Sequence, residues 1–129
     1  VNTNPETKIG NTRTPEGYAP ELFYRTSVLY RGDPLWASRE GSVGRLEPSP
    51  DGSWIKEIGG CDAAGAWFDA WPNHEDLASD DPRADLFRRA VAEIPPCQEC
   101  GRAWIDHAPE QRLACIQAPI IRGLQYPYR

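Results

Sequence analysis

Thirteen prolines and eleven glycines punctuate this chain of 129 residues, and no other feature limits its fold as strongly. Each proline removes a backbone donor and fixes φ, and each glycine raises the entropy lost on ordering. Regular elements are therefore broken often, and a loop-rich body with extended segments follows. Long helices are not expected. With 40% hydrophobic residues, the length suits one modest domain around one small core.

Residues 1–20 are rich in proline, asparagine and threonine, with Val1 and Ile9 as the only large aliphatics. That is too little to fold alone and reads as an extended N-terminal arm, free or laid across another subunit. From "ELFYRTSVLYRG" the pattern tightens: Tyr24, Val28 and Tyr30 share one side of an extended chain, which predicts a strand over 22–30. In "VGRLEPSPDGSWIKEI" the residues Ser49, Pro50, Asp51 and Gly52 supply turn chemistry, so a hairpin is expected with Trp54, Ile55 and Ile58 on its second strand. Pro48 makes the first strand short or an edge. Trp67, Phe68 and Trp71 crowd into five positions and read as core.

The clearest helix is "DPRADLFRRAVAEI". Asp81 is its N-cap, Pro82 its first helical residue, and Leu86, Phe87, Ala90, Val91 and Ile94 share one face before Pro95 and Pro96 end it. The closing "IQAPIIRGLQYPYR" is broken by proline and is expected to run extended as a C-terminal tail, with Tyr126 and Tyr128 packing on the body or docking on a neighbour. The fold class expected is α+β: a small irregular domain over 21–129 with a β-hairpin or short antiparallel sheet and one main helix. A cysteine-bearing segment over 97–115 belongs to that domain, and the arm and tail flank it.

That segment, "CQECGRAWIDHAPEQRLAC", gathers three of the four cysteines and one of the two histidines. Two thiols separated by two residues and followed by glycine match the tight turn in which backbone amides face the sulfurs. His107 and Cys115 follow after six and seven intervening residues, a loop short enough to fold back. Cys97, Cys100, His107 and Cys115 thus form a candidate Cys3His set. Such a set fills all four tetrahedral positions, leaves none for water, and points to structural Zn2+. In small zinc peptides the ion contributes about 10 kcal/mol or more of apparent binding energy, enough to hold a segment whose local core is Trp104, Ile105 and Leu113. Two disulfides, a redox CxxC and unligated packed thiols are the competing readings. In the zinc reading Cys61 is the buried odd thiol and His74 the reserve ligand.

The stretch "CQECGRAWIDH" resembles the single-knuckle zinc modules of small actinobacterial and phage proteins, in which CxxCG is followed by a tryptophan and a histidine. The likeness covers the neighbourhood of 97–115 alone and brings no activity with it. It implies Cys97, Cys100 and His107 as ligands and leaves Cys115 to spacing. A fainter likeness links "LYRGDPLW" and "GAWFDAWPNHEDL" to ADP-ribosyltransferase-like domains, in which Arg31 would grip the pyrophosphate of NAD. The chain departs from that pattern by lacking a Ser-Thr-Ser strand and a Glu-x-Glu pair.

Other motifs carry less. Glu75, Asp76, Asp80 and Asp81 match no calcium loop and read as a solvated face flanking the helix. The tripeptide at 31–33 reads as a strand end, and no serine sits in a nucleophile elbow. A formal charge of −5 provides no basic face for duplex nucleic acid. No apolar run has the length of a membrane span, and the first residues lack the pattern of a secretory signal, so a place in a virion or the cytoplasm is expected. The function these features favour is a non-enzymatic interaction protein, zinc-stabilised, serving as a subunit of a larger assembly such as a phage virion, with protein subunits as partners, copies of itself included. The alternatives are an ADP-ribosyltransferase-like enzyme acting on NAD and a zinc-containing regulator that binds nucleic acid through Arg88, Arg89, Arg102 and Arg112.

Overall fold

The computed structural model describes residues 6–14, 17–50, 52–70 and 72–122. Among these described residues seven strands come first: β1 (Thr7–Thr14), β2 (Gly17–Tyr30), β3 (Asp33–Ala37), β4 (Ser42–Ser49), β5 (Gly52–Asp62), β6 (Gly65–Ala70) and β7 (Asn73–Leu77). Helix α1 (Pro82–Ala92), a single 3-10 turn over Trp104–Asp106 and helix α2 (Pro109–Arg122) follow. Neighbours in sequence are neighbours in the sheet, and every consecutive pair is antiparallel. β1 also pairs with β5, in parallel, at Gly10↔Ile55 and Asn11↔Lys56. The first five strands therefore close into a barrel. Its one parallel seam is a matter of parity: in an up-and-down meander of five strands the first and last run the same way.

This architecture corrects the α+β expectation. Half of the described residues lie in strands, the barrel dominates, and the helices are short. The reason lies in what fills the barrel. Phe23, Trp36 and Ile55 form an interior cluster of their own, and the positions facing them are glycines. Trp36 pairs across strands with Gly44, and Ile55 pairs with Gly10. A Cβ on Gly44 would lie 2.5 Å from Ile55 Cγ2, and one on Gly10 would lie 2.6 Å from Ile55 Cβ. Two strands thus turn glycine inward and show no apolar alternation that a sequence pattern can register. The only large aliphatic of β1, Ile9, points outward.

The segment 1–20 also finds a partner different from the one expected. Its residues 7–14 are β1 and residues 17–20 begin β2, so the extended stretch is stitched to the chain's own sheet. Residues 1–5, 15 and 16, and residues 123–129 with Tyr126 and Tyr128, lie outside the described residues, and the described part of the expected extended tail, 116–122, belongs to helix α2 instead.

A second core lies on the outer face of the barrel wall. Leu35 and Ala37 flank Trp36 in β3 and so point the opposite way. With Val28, Val43, Ile58 and Cys61 they pack under Ala84, Phe87, Ala90 and Val91 of α1. This helix matches its sequence signature. The Asp81 carboxylate accepts from Arg83 N at 2.8 Å, Pro82 opens the first turn, and Glu93 closes the last. Glu93 then reaches β2, where its carboxylate accepts from Ser27 N at 2.7 Å and from the Ser27 hydroxyl, inside the register shift between Arg25 and Leu29. The β4–β5 hairpin falls at the expected turn, with Ser49 paired to Gly52. No helix among the described residues is long and apolar enough to cross a membrane.

Candidate metal centre

The four residues singled out by spacing converge. Pro95 and Pro96 stop the chain from extending α1, and Cys97 opens a tight turn in which its N–H donates to Arg102 O and Gly101 N donates to Cys97 O, both at 2.9 Å. Gly101 sits at φ +77°, a region that suits glycine and strains other residues. Cys97 and Cys100 project from this turn, and Glu99 N approaches Cys97 Sγ at 3.3 Å. The 3-10 turn that follows delivers His107, and α2 delivers Cys115. The ligand atoms of all four lie within 4.8 Å of one another, and Cys100 Sγ is 3.2 Å from His107 Nε2.

That spacing suits a common ion. Zinc–sulfur bonds of about 2.3 Å place tetrahedral sulfurs about 3.8 Å apart, inside the observed spread. The imidazole is set for the task as well. His107 Nδ1 lies 3.0 Å from Ala103 O, and because a carbonyl only accepts, Nδ1 carries the proton and Nε2 keeps its lone pair for the cluster. The ring stacks on Trp104, with centroids 4.6 Å apart and planes 25° from parallel, and His107 is fully buried. Burial opposes ionisation of the Cys97 thiol, yet the amides of Cys100 and Glu99 and the neighbouring thiols hold it below the ordinary thiol value. Burial pushes the Cys115 thiol up, against the pull of the Gln111 amide, whose Nε2 donates to Cys115 Sγ at 3.2 Å.

Arg112 locks α2 in place beside the cluster. The guanidinium is buried and donates to Trp104 O at 2.9 Å, Glu40 O at 3.0 Å and Cys61 O at 3.4 Å. One side chain thereby ties α2 to the 3-10 turn, the β3–β4 turn and the end of β5. The sequence alone groups Arg112 with Arg88, Arg89 and Arg102 as a basic patch. The structure removes it from any such surface, and Arg89 pairs with Asp85 at 3.7 Å.

The remaining named residues stand apart. Cys61 lies on β5, its thiol donates to Phe87 O at 3.4 Å, and burial pushes it up to about 12. His74 is on β7 between Asp69 and Asp76, each at 3.8 Å, and is no part of the cluster. Arg31 occupies the two-residue β2–β3 turn at φ 53° and lies over the Tyr30 ring. Asp81 caps α1, and Glu75 meets Arg83 at 3.4 Å.

Two supports of the centre, Gln111 and Arg112, escaped the sequence reading because α2 did. A signal existed: Gln111 and Cys115 are four apart, the spacing that brings side chains together on one helical face.

The fold and site together define a small closed β-barrel carrying a Cys3His group able to bind a metal ion. Comparison with protein-family models, with curated proteins and with solved structures found no match to this chain.

Proposed function

We propose that this chain is a non-enzymatic, zinc-stapled interaction protein that works as a subunit of a larger assembly, of the kind a phage virion contains. The observation that carries the reading is the completeness of the donor set. Three sulfurs and one oriented imidazole nitrogen gather within 4.8 Å, and four such ligands leave a tetrahedral ion no open position for water or substrate. The ion that this donor chemistry suits best is Zn2+, soft enough for thiolate and content with imidazole. Its role there is to tie the segment 97–115 to itself, joining the Cys97–Gly101 turn, the 3-10 turn and α2 into one unit that buried Trp104 and Arg112 seat against the rest of the molecule.

An interaction role is supported by the barrel's outer face. Ile9 and Leu22 are directly opposed across β1 and β2 and are 58% and 42% exposed, and Leu29 farther along β2 is 57% exposed. Protein subunits, copies of the same chain included, are the partners suited to such aliphatics. Elemental analysis combined with native mass measurement of the full chain tests both parts. One zinc per chain and a mass above the monomer are expected. Chelation should then loosen 97–122 while leaving the barrel strands protected from hydrogen exchange. Metal-free protein with free thiols refutes the staple, and a zinc-loaded chain that stays monomeric and captures no subunit refutes the assembly.

A further inference from the structure

The four donors are unequally shielded. Cys97 is 2% exposed, His107 0% and Cys115 6%, whereas Cys100 stands open at the surface. We infer that the centre is a redox-gated staple, in which a peroxide enters at Cys100, Cys97 closes on it as a disulfide, and the departing ion frees the later half of α2. The inference rests on the zinc reading above and concerns the regulation of that same centre.

The geometry selects Cys97 as the resolving thiol. Both cysteines sit on one turn closed by two backbone hydrogen bonds of 2.9 Å, so their sulfurs meet by side-chain rotation without moving a helix. Cys115 is differently placed. Its sulfur accepts from Gln111, and the start of its helix is fixed by the three carbonyl contacts of Arg112. Cys61 is sealed beneath α1, with its thiol on Phe87 O.

The step balances with hydrogen peroxide as oxidant. The Cys100 thiolate attacks one peroxide oxygen, the O–O bond breaks, and the departing hydroxide takes a proton to become water. The Cys97 thiolate then attacks the Cys100 sulfenic acid, the S–S bond forms, and a second hydroxide leaves and is protonated. Two thiolates have lost one electron each and peroxide has gained two. His107 and Cys115 alone remain as donors, too few to retain the ion. His107 keeps its stacking on Trp104 and its bond to Ala103 O, and Arg112 still tethers the first turn of α2. The tether at Cys115 is lost.

Titrating the zinc-loaded full chain with hydrogen peroxide tests the inference, with released zinc read by a chromogenic chelator, disulfides mapped by mass spectrometry and backbone amides followed by hydrogen exchange. One zinc should appear for every two thiols lost, with a Cys97–Cys100 bridge and an unmodified Cys61. Protection should fall at least tenfold over residues 114–118 and persist at Arg112. A bridge involving Cys115 or Cys61, or zinc retained after Cys97 and Cys100 are oxidised, overturns the inference and leaves the zinc reading intact. Protein that carries no metal at the outset overturns both.

Discussion

Replacing Glu21 with glutamine should change how the stability of the protein depends on pH, in a direction the structure dictates. Glu21 lies on β2 and is 6% exposed, with its carboxylate meeting the Ser38 hydroxyl and, at 3.5 Å, the Ser42 hydroxyl. Burial and then the nearby Glu40 and Glu57 carboxylates push it from an ordinary 4.5 to about 8. Between those values the folded chain holds a proton that the unfolded chain has released. Stability from this residue is therefore fully present below pH 4.5 and is lost as pH rises through about 8. The whole interval corresponds to about 5 kcal/mol. Glu21 is among the residues lining a hollow with Tyr24, Arg39 and Glu40, and solvent there screens part of this, so about 2–3 kcal/mol should be observable.

The Glu21→Gln protein has an uncharged amide of the same shape, so it should escape this loss. A metal held by the Cys3His group would bring its own pH dependence, because thiols must ionise to bind it, and that contribution would cancel in the difference between variant and parent at each pH. Urea unfolding of both proteins, prepared with the same metal content and followed by tryptophan fluorescence at about pH 5, 7 and 9, measures the difference directly. The variant should gain on the parent steadily across that range and lead by about 2–3 kcal/mol at the top. A constant difference, or one that shrinks as pH rises, refutes the idea of a buried proton on Glu21.

Two further substitutions probe the barrel and the α2 anchor. Gly44→Ala places a methyl 2.5 Å from Ile55 Cγ2 and 2.7 Å from Lys56 O, a backbone atom that cannot retreat, and should cost about 3 kcal/mol by denaturant unfolding. A loss under about 1 kcal/mol would mean the interior is looser than described. Arg112→Met leaves the carbonyls of Glu40, Cys61 and Trp104 without this donor and should cost about 3 kcal/mol, with amide protection lost first at the start of α2. Unchanged protection there would show that the guanidinium contributes little to holding the helix.

What could be read in advance followed the range of the interactions involved. Helix α1 was legible because Asp81 and Pro82 mark its start and the apolar face repeats within four residues, all local signals. The β4–β5 turn was legible from Ser49 to Gly52, and the Cys3His group from two cysteines and a glycine within five positions with His107 and Cys115 a short loop away. The barrel was hidden because its closure joins Gly10 to Ile55, and because the inward residues of β1 and β4 at that level are the glycines that make room for Phe23, Trp36 and Ile55. α2 was hidden by its prolines. Pro109 stands at its first position, where a missing N–H costs nothing, and Pro119 falls near its end, where few hydrogen bonds remain to be broken. Arg112 showed its charge in the sequence but not its burial, which depends on carbonyls 8, 51 and 72 residues away.

The same-direction meeting of β1 and β5 gives the barrel a line of weakness. Every other neighbouring pair around the wall is tied at one end by a reversal of the chain, whereas these two are joined by nothing covalent nearby and pair over two residues each. Parting them would unroll the wall into a flat ribbon with all its hairpins intact. Solvent, or the strand of a visiting chain, would reach Phe23 and Ile55 first along that line.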